Sequence, residues 1–269
     1  MRILTLLFSL VLLISCEEVI DIDLNESEPK LVVEATMIRL LNNDGGGTEV
    51  KLSLTGPFFN DGIPAVTNAQ VTISDSNNNT FPLTHVENGR YITETNLTPV
   101  DNTDYTITIV YAGDTYTATE KIESVSPWEK NVEQDNDGGF LGDEIELKAF
   151  FSDPVDEENY YYVQIASTKG RDRDITSDEF FNGNQIFALY SVEDLEPGDE
   201  VFFELDGVDR NFSNFMFILL QQGSEDGGGP FETQPATVRG NVVNETNPGN
   251  FPLGYFRVSE RDTLMYIIQ

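Results

Sequence analysis

Short runs in which apolar and polar residues alternate with period two constrain this chain most. Tyr105, Ile107, Ile109 and Tyr111 fall on one face of a segment whose other face carries Thr106 and Thr108. Ala112-Gly113-Asp114 then turns the chain into a second such segment, Thr115 to Ile122. Side chains that alternate every second residue fit a half-buried strand, and two runs joined by a Gly-containing turn make a hairpin. Upstream, Leu31-Val32-Val33, the alternation of Val50, Leu52 and Leu54 with Lys51 and Ser53, and Val71 with Ile73 repeat the pattern. Asp75 to Asn79 supplies a turn before Phe81 and Leu83. No helical period interrupts residues 30–125, so they are expected to form an antiparallel, immunoglobulin-like β-sandwich.

Residues 126–139 carry Pro127, the sole tryptophan (Trp128) and an acidic, Gly-containing end, and read as an inter-domain linker. Strand patterns resume over Glu144–Phe151, Tyr160–Thr168, Gln185–Val192 and Glu200–Leu205, with closing strands expected over Gly254–Ser259 and Asp262–Ile268. Between them Phe212, Phe215, Met216 and Leu219 recur at helical spacing, with Asp209 as N-cap and Gly223 at the end. Phe217, Ile218 and Leu220 make this helix apolar all round, which predicts burial against a sheet. The fold class expected is therefore mainly β: two antiparallel sandwich-like domains, 30–125 and 140–269, the second with one buried helix.

The amino terminus reads differently. Arg2 precedes an apolar run from Ile3 to Ile14, too short to span a bilayer but suited to the core of a secretory signal. Leu13-Ile14-Ser15-Cys16 closes it and resembles the lipobox of bacterial lipoproteins, which implies a signal peptide over 1–15 and lipidation of Cys16. An acidic tether over 16–29 follows, where Ile20, Ile22 and Leu24 alternate with Asp21 and Asp23 and could add an edge strand. Glu17-Glu18 resembles the export signal that places such lipoproteins on the outer face of the outer membrane. The competing reading is a soluble secreted protein whose one cysteine is incidental.

Charge narrows the partners. The chain has 15 Lys and Arg against 47 Asp and Glu, a net charge of −32. That balance opposes nucleic-acid binding, which depends on neutralising phosphates, and opposes adhesion to anionic lipid by a basic patch. Attachment to the outer membrane would fall to the acyl chains. With a single cysteine, no disulfide within the chain is possible, and stability must come from an apolar core.

Catalytic signals are sparse. His85 is the sole histidine and sits at the end of an expected strand with no Gly-x-Ser-x-Gly partner. Zinc sites of the usual kind need more His or Cys than the chain holds. Gly45-Gly46-Gly47 and Gly227-Gly228-Gly229 lie beside acids and lack the Lys-Ser/Thr of a phosphate loop. One metal pattern has content: Glu133, Asp135 and Asp137, then Gly138 and Glu144, follow the oxygen-ligand spacing of a calcium loop. No helices flank it, and in so acidic a chain a solvated linker is the stronger reading of the same residues.

Several stretches together resemble a known family. Cys16-Glu-Glu-Val-Ile-Asp-Ile-Asp-Leu24, Pro29 to Glu34, Pro57-Phe58-Phe59, Ala69 to Ile73, and Tyr105-Thr106-Ile107 with Tyr116-Thr117-Ala118 come first. Asp178 to Phe181, Pro197-Gly198-Asp199, Gly228 to Phe231 and Leu253 to Phe256 follow. Their order resembles the uncharacterised Bacteroidota lipoproteins grouped as domain-of-unknown-function family forty-two forty-nine. The resemblance implies a surface-facing, lipid-anchored, non-enzymatic accessory of a TonB-dependent receptor in nutrient uptake. It also implies likeness of the first domain to the sandwich modules that regulate carboxypeptidases. Two other function classes stay open: a surface adhesion or glycan-binding module, calcium-assisted and independent of a transporter, and, behind it, a hydrolase using two carboxylates. The substrate is not legible.

Overall fold

A computed structural model describes residues 28–42, 45–56, 62–139, 142, 144–155, 157–223 and 237–269. The expected signal peptide, Cys16 and all but the last two residues of the tether lie outside them, as do Pro57-Phe58-Phe59 and Gly228 to Phe231.

The first seven strands are β1 (Leu31–Leu40), β2 (Gly46–Leu54), β3 (Gln70–Asp75), β4 (Thr80–Glu87), β5 (Arg90–Thr93), β6 (Asp104–Tyr111) and β7 (Asp114–Lys121). They pair in the order β1-β2-β5-β4-β3-β6-β7. This places β1-β2-β5 opposite β3-β6-β7, the arrangement of an immunoglobulin-like sandwich. Period two decides what lies between the layers: Leu31, Val33, Ala35 and Met37 of β1 meet Val71, Ile73, Ile107 and Ile109, while Val32, Glu34 and Thr36 face outward. Tyr105, at the start of β6, accepts a hydrogen bond from the Val100 N–H at 3.0 Å. That is the tyrosine corner expected of such a sandwich.

The second half contributes β8 (Trp128–Gly138), β9 (Glu144–Ser152), β10 (Tyr160–Ala166), β11 (Arg171–Ser177), β12 (Gln185–Ser191), β13 (Glu200–Val208), helix α1 (Arg210–Gly223), β14 (Val243–Asn244) and β15 (Leu253–Ile267). Strands β12-β9-β8 form one sheet, which packs on β11-β10-β13-β15. The expected linker over 126–139 is thereby corrected. Its residues are mostly an eleven-residue strand, and Trp128 is a core residue standing edge-on to Phe151 and Phe203 at 5.5 and 6.0 Å. Charge on the solvent-facing side of an edge strand costs little, so acidity concealed its period.

Strand β15 joins the two cores. The two closing strands expected near the end are one fifteen-residue strand, parallel to β1 over its first nine residues and antiparallel to β13 over its last seven. Its even-numbered side serves both interiors, Phe256 and Val258 the first and Leu264 and Tyr266, with Ile268 just past its end, the second. β14 pairs with β7 and Val242 enters the first core, so the chain returns to the first sandwich after building the second. Between the cores, β15 holds the connecting segment with two buried carboxylates. Glu260 accepts the Val125 N–H at 3.2 Å and Asp262 that of Trp128 at 2.7 Å. The Glu123 and Glu260 amides add main-chain bonds to Val258 and Glu123. Groups whose polar demand is met this way tolerate burial.

Helix α1 forms where its pattern places it, with the Asp209 Oδ1 accepting the Phe212 N–H at 2.8 Å as N-cap. It packs on the outer face of β10 and β11, where Tyr160 and Tyr162 meet Phe212 and Phe215, while Tyr161 faces the sandwich interior. Its burial is one-sided. Phe212 and Met216 are buried, whereas Phe217, Ile218 and Leu219 are exposed, so the expected packing against a sheet covers one side of the helix only. A helix laid on one sheet face has only one side to cover.

Candidate functional site

The outer faces of β1 and β2, the outer face of β10 and β11, and the inner side of α1 enclose a groove of about 740 Å³. That size falls within the range of small-molecule sites. Each wall follows from strand alternation. Residues excluded from the first core (Val32, Glu34, Thr36, Glu49, Lys51) form one side, and Tyr162, Gln164 and Arg173 the other. Tyr255 and Arg257, on the odd-numbered side of β15, form the floor, and Phe212, Phe215, Met216 and Leu219 of α1 the remaining wall.

The floor is electrostatically organised. Asp206 is completely buried on β13 and takes hydrogen bonds from Arg257 and from Arg261, the latter through Nε and Nη2 at 2.5 and 2.8 Å. Burial alone would raise this carboxyl. The neighbouring charges of Arg257 and Arg261, with their hydrogen bonds, outweigh it and hold Asp206 below the usual carboxylate range. Burial likewise works against the Arg261 guanidinium, yet the Asp206 and Glu204 carboxylates keep it more basic than usual. Arg257 also donates to Ser259 Oγ at 3.2 Å and lies over the rings of Tyr162 and Phe212, 5.5 and 5.4 Å from their centroids. Its charge is thus compensated from below while its planar face meets aromatic surface.

The rim is different. Lys51 pairs with Glu34 at 3.2 Å between two exposed side chains, a contact of little energy. Arg173 lines the groove with no ion pair among the described residues. The site therefore offers aromatic and aliphatic walls, hydrogen-bonding groups at Gln164 and Thr36, and one uncommitted guanidinium. That set can hold an amphipathic solute by shape and orient it by one polar end.

Beside the groove, where α1 begins, Tyr255 donates to Asp209 Oδ1 at 3.4 Å. Burial, then the Asp209 charge, raises its phenol. Asn241 joins this corner to β7, donating to Glu120 Oε1 and to the Phe256 carbonyl, each at 2.7 Å. Burial pushes the Glu120 carboxyl up to about 7; the Asn241 hydrogen bond opposes this, and the charges of Asp209 and Glu123 add to it.

The residues chosen from spacing lie elsewhere. Glu133, Asp135 and Asp137 are on β8, with Glu133 opposite Lys148, Asp135 opposite Glu146 and Gly138 opposite Glu144. Glu133, Asp135 and Asp137 thus have the spacing of a strand, in which alternate carboxylates stand about 6–7 Å apart, where a calcium loop needs oxygens that converge. Their contacts are local. Asp135 Oδ1 accepts the Asp137 N–H at 3.0 Å, Glu144 Oε2 accepts from Ser191 at 2.8 Å, and Glu146 pairs with Lys148 at 2.9 Å. Among the described residues no group of three or more His, Cys, Asp or Glu could hold a metal ion. His85 is on β4, its Nε2 accepting the Gly89 N–H at 3.3 Å, and it does not line the groove. Sequence reasoning missed Asp206, Arg257 and Arg261. Two acids, Glu204 and Asp206, set within the otherwise apolar run Val201–Val208 were the available signal.

Among solved structures, a chain titled "Cytokine receptor complex - Crystal form 1A" is similar at 11% identity. It covers 68% of this chain and 86% of its own, with a TM-score of 0.25. A two-domain fibronectin type III segment of chicken tenascin is similar at 14% identity, covering 66% and 90%, with a TM-score of 0.21. Likeness at this level says nothing of function. No curated protein matches the chain. Residues 17–264 match the family model described as domain of unknown function (DUF4249). With that match running from the acidic tether to the last strand, the chain belongs to the DUF4249 family.

Proposed function

We propose that the protein is a lipoprotein of the outer membrane, anchored through Cys16 and facing the cell surface. In this reading it works without catalysis, holding a small amphipathic solute for a TonB-dependent receptor. The observation that carries the binding role is the groove itself. It joins an aromatic, ion-paired floor to a rim where Arg173 is free to meet an anionic group, in a chain otherwise rich in acid. A ligand with an apolar body and one carboxylate or similar anion suits it. The lipobox Leu13 to Cys16 supports the anchor, and the family resemblance supports the receptor. Engagement of His85 by the β4–β5 hairpin supports a non-enzymatic role.

Isolation of the native lipoprotein in mild detergent tests the partner. Co-purification of a large β-barrel receptor is expected, and recovery as a free monomer overturns the receptor role. Mass spectrometry of the mature amino terminus tests the anchor, which an unmodified Cys16 thiol overturns.

A further inference from the structure

Strand ends and edges expose main-chain groups that invite pairing, and proteins guard them with charge, brevity or cover. Three of the four sheet edges among the described residues are guarded in this way. β11 carries Arg171, Asp172, Arg173 and Asp174, and α1 packs against it. β14 is two residues long. β8 carries five charged residues and is capped at Gln134, which exchanges two 3.0 Å hydrogen bonds with the main chain of Gln269.

The fourth edge has no guard among the described residues. β12 reads Gln185-Ile186-Phe187-Ala188-Leu189-Tyr190-Ser191, seven residues with no charge. It is paired only with β9, and no main-chain hydrogen bond joins it to any described residue outside that strand. Ile186, Ala188 and Tyr190 face the core, so Phe187 and Leu189 stand outward, 49% and 47% exposed, with Phe187 against Phe150 at 5.8 Å. Glu129 of β8 accepts from Gln185 at 2.7 Å and Glu144 of β9 from Ser191 at 2.8 Å, both inboard of the open edge, and the Lys148 ammonium lies over the Phe187 ring at 5.6 Å.

We propose that β12 is a docking edge for an extended segment of a partner protein, which adds to β12-β9-β8 as a fourth strand. The open main-chain ladder demands an extended backbone. Phe187 and Leu189 call for apolar residues at alternate positions, and the chain's net charge of −32 favours a basic segment. A second copy fits poorly, because two chains of net charge −32 repel. This surface is separate from the groove and does not depend on the receptor reading.

The peptide Lys-Val-Thr-Val-Thr-Val-Lys, titrated into the full-length protein in detergent micelles, tests the proposal. Two further peptides carry N-methyl groups on one or the other alternate set of amides. A strand paired along one edge tolerates methylation on its free side only, so the methylated peptides should differ in affinity by about tenfold or more. Phe187→Lys should weaken the parent peptide by a similar factor, while Phe202→Lys, on another exposed strip, should leave it unchanged. Equal binding of the two methylated peptides, no binding at millimolar concentration, or indifference to Phe187→Lys overturns the proposal. A dimer in sedimentation that Phe187→Lys abolishes also overturns it, replacing the partner with a second copy.

Discussion

Glu120 should make the fold more stable in mild acid than at alkaline pH. Its carboxyl is half-buried beside Asn241, near Asp209 and Glu123, and keeps its proton up to about pH 7 instead of the 4.5 of a free glutamate. A raised carboxyl in the native state binds more protons than the unfolded chain between those values, so stability falls as pH rises through that window. Below about 4.5 both states are protonated and the penalty vanishes; above about 7 it is present in full. The whole difference corresponds to about 3 kcal/mol, and screening at a partly exposed site reduces this to about 1–2 kcal/mol. Glu120→Gln keeps an oxygen for Asn241 and removes the charge. At pH 8 the variant should gain about 1–2 kcal/mol, or roughly 2–6 °C in melting temperature for a chain of this size. Near pH 4.5 the two proteins should melt together. Thermal melts of both from pH 4.5 to 8.5 cancel the repulsion common to the other acids. Parallel curves across the range, or a variant less stable at pH 8, would refute the account.

Asp206→Ala should cost about 3–5 kcal/mol in chemical denaturation, because Arg257 would remain buried with no counter-charge and Arg261 with Glu204 alone. The depressed Asp206 carboxyl contributes stability that is present above the unfolded value of 3.8 and fades as pH falls below it, so the wild-type advantage should shrink in strong acid. Tyr105→Phe removes the acceptor for the Val100 N–H and should cost about 1 kcal/mol, read from the denaturation midpoint at unchanged slope. Gly254→Ala should be far worse, about 3 kcal/mol or more. Gly254 has φ +90°, and a Cβ there would stand 2.0 Å from the Val33 carbonyl oxygen in the β1–β15 ladder.

Much of the first sandwich is visible in the sequence because each strand has one wet face. Tyr105 to Tyr111 and Val50 to Leu54 declare their sides residue by residue, and the Asp209 cap with the Phe212–Met216 spacing declares the helix. β8 and β11 escaped notice for the opposite reason. Their residues are charged on both faces or nearly so, and only pairing with β9 or β10 makes them strands. The oxygen-rich spacing from Glu133 to Glu144 looked like a loop for the same cause.

The groove depends on relations that no local pattern contains. Glu34 and Lys51 belong to one sandwich and Gln164 and Arg173 to the other, and they face each other because β15 runs through both. Order along the chain, through alternation and turn chemistry, determined that this protein would be layered β-sheet with one helix. Long-range pairing decided the rest: which charges share a buried floor, which edge stays open and which side of the helix stays bare. Those outcomes follow from partners more than a hundred residues apart, such as Arg39 with Glu260 or Trp128 with Asp262, and strand alternation says which way a side chain points, never what it will meet.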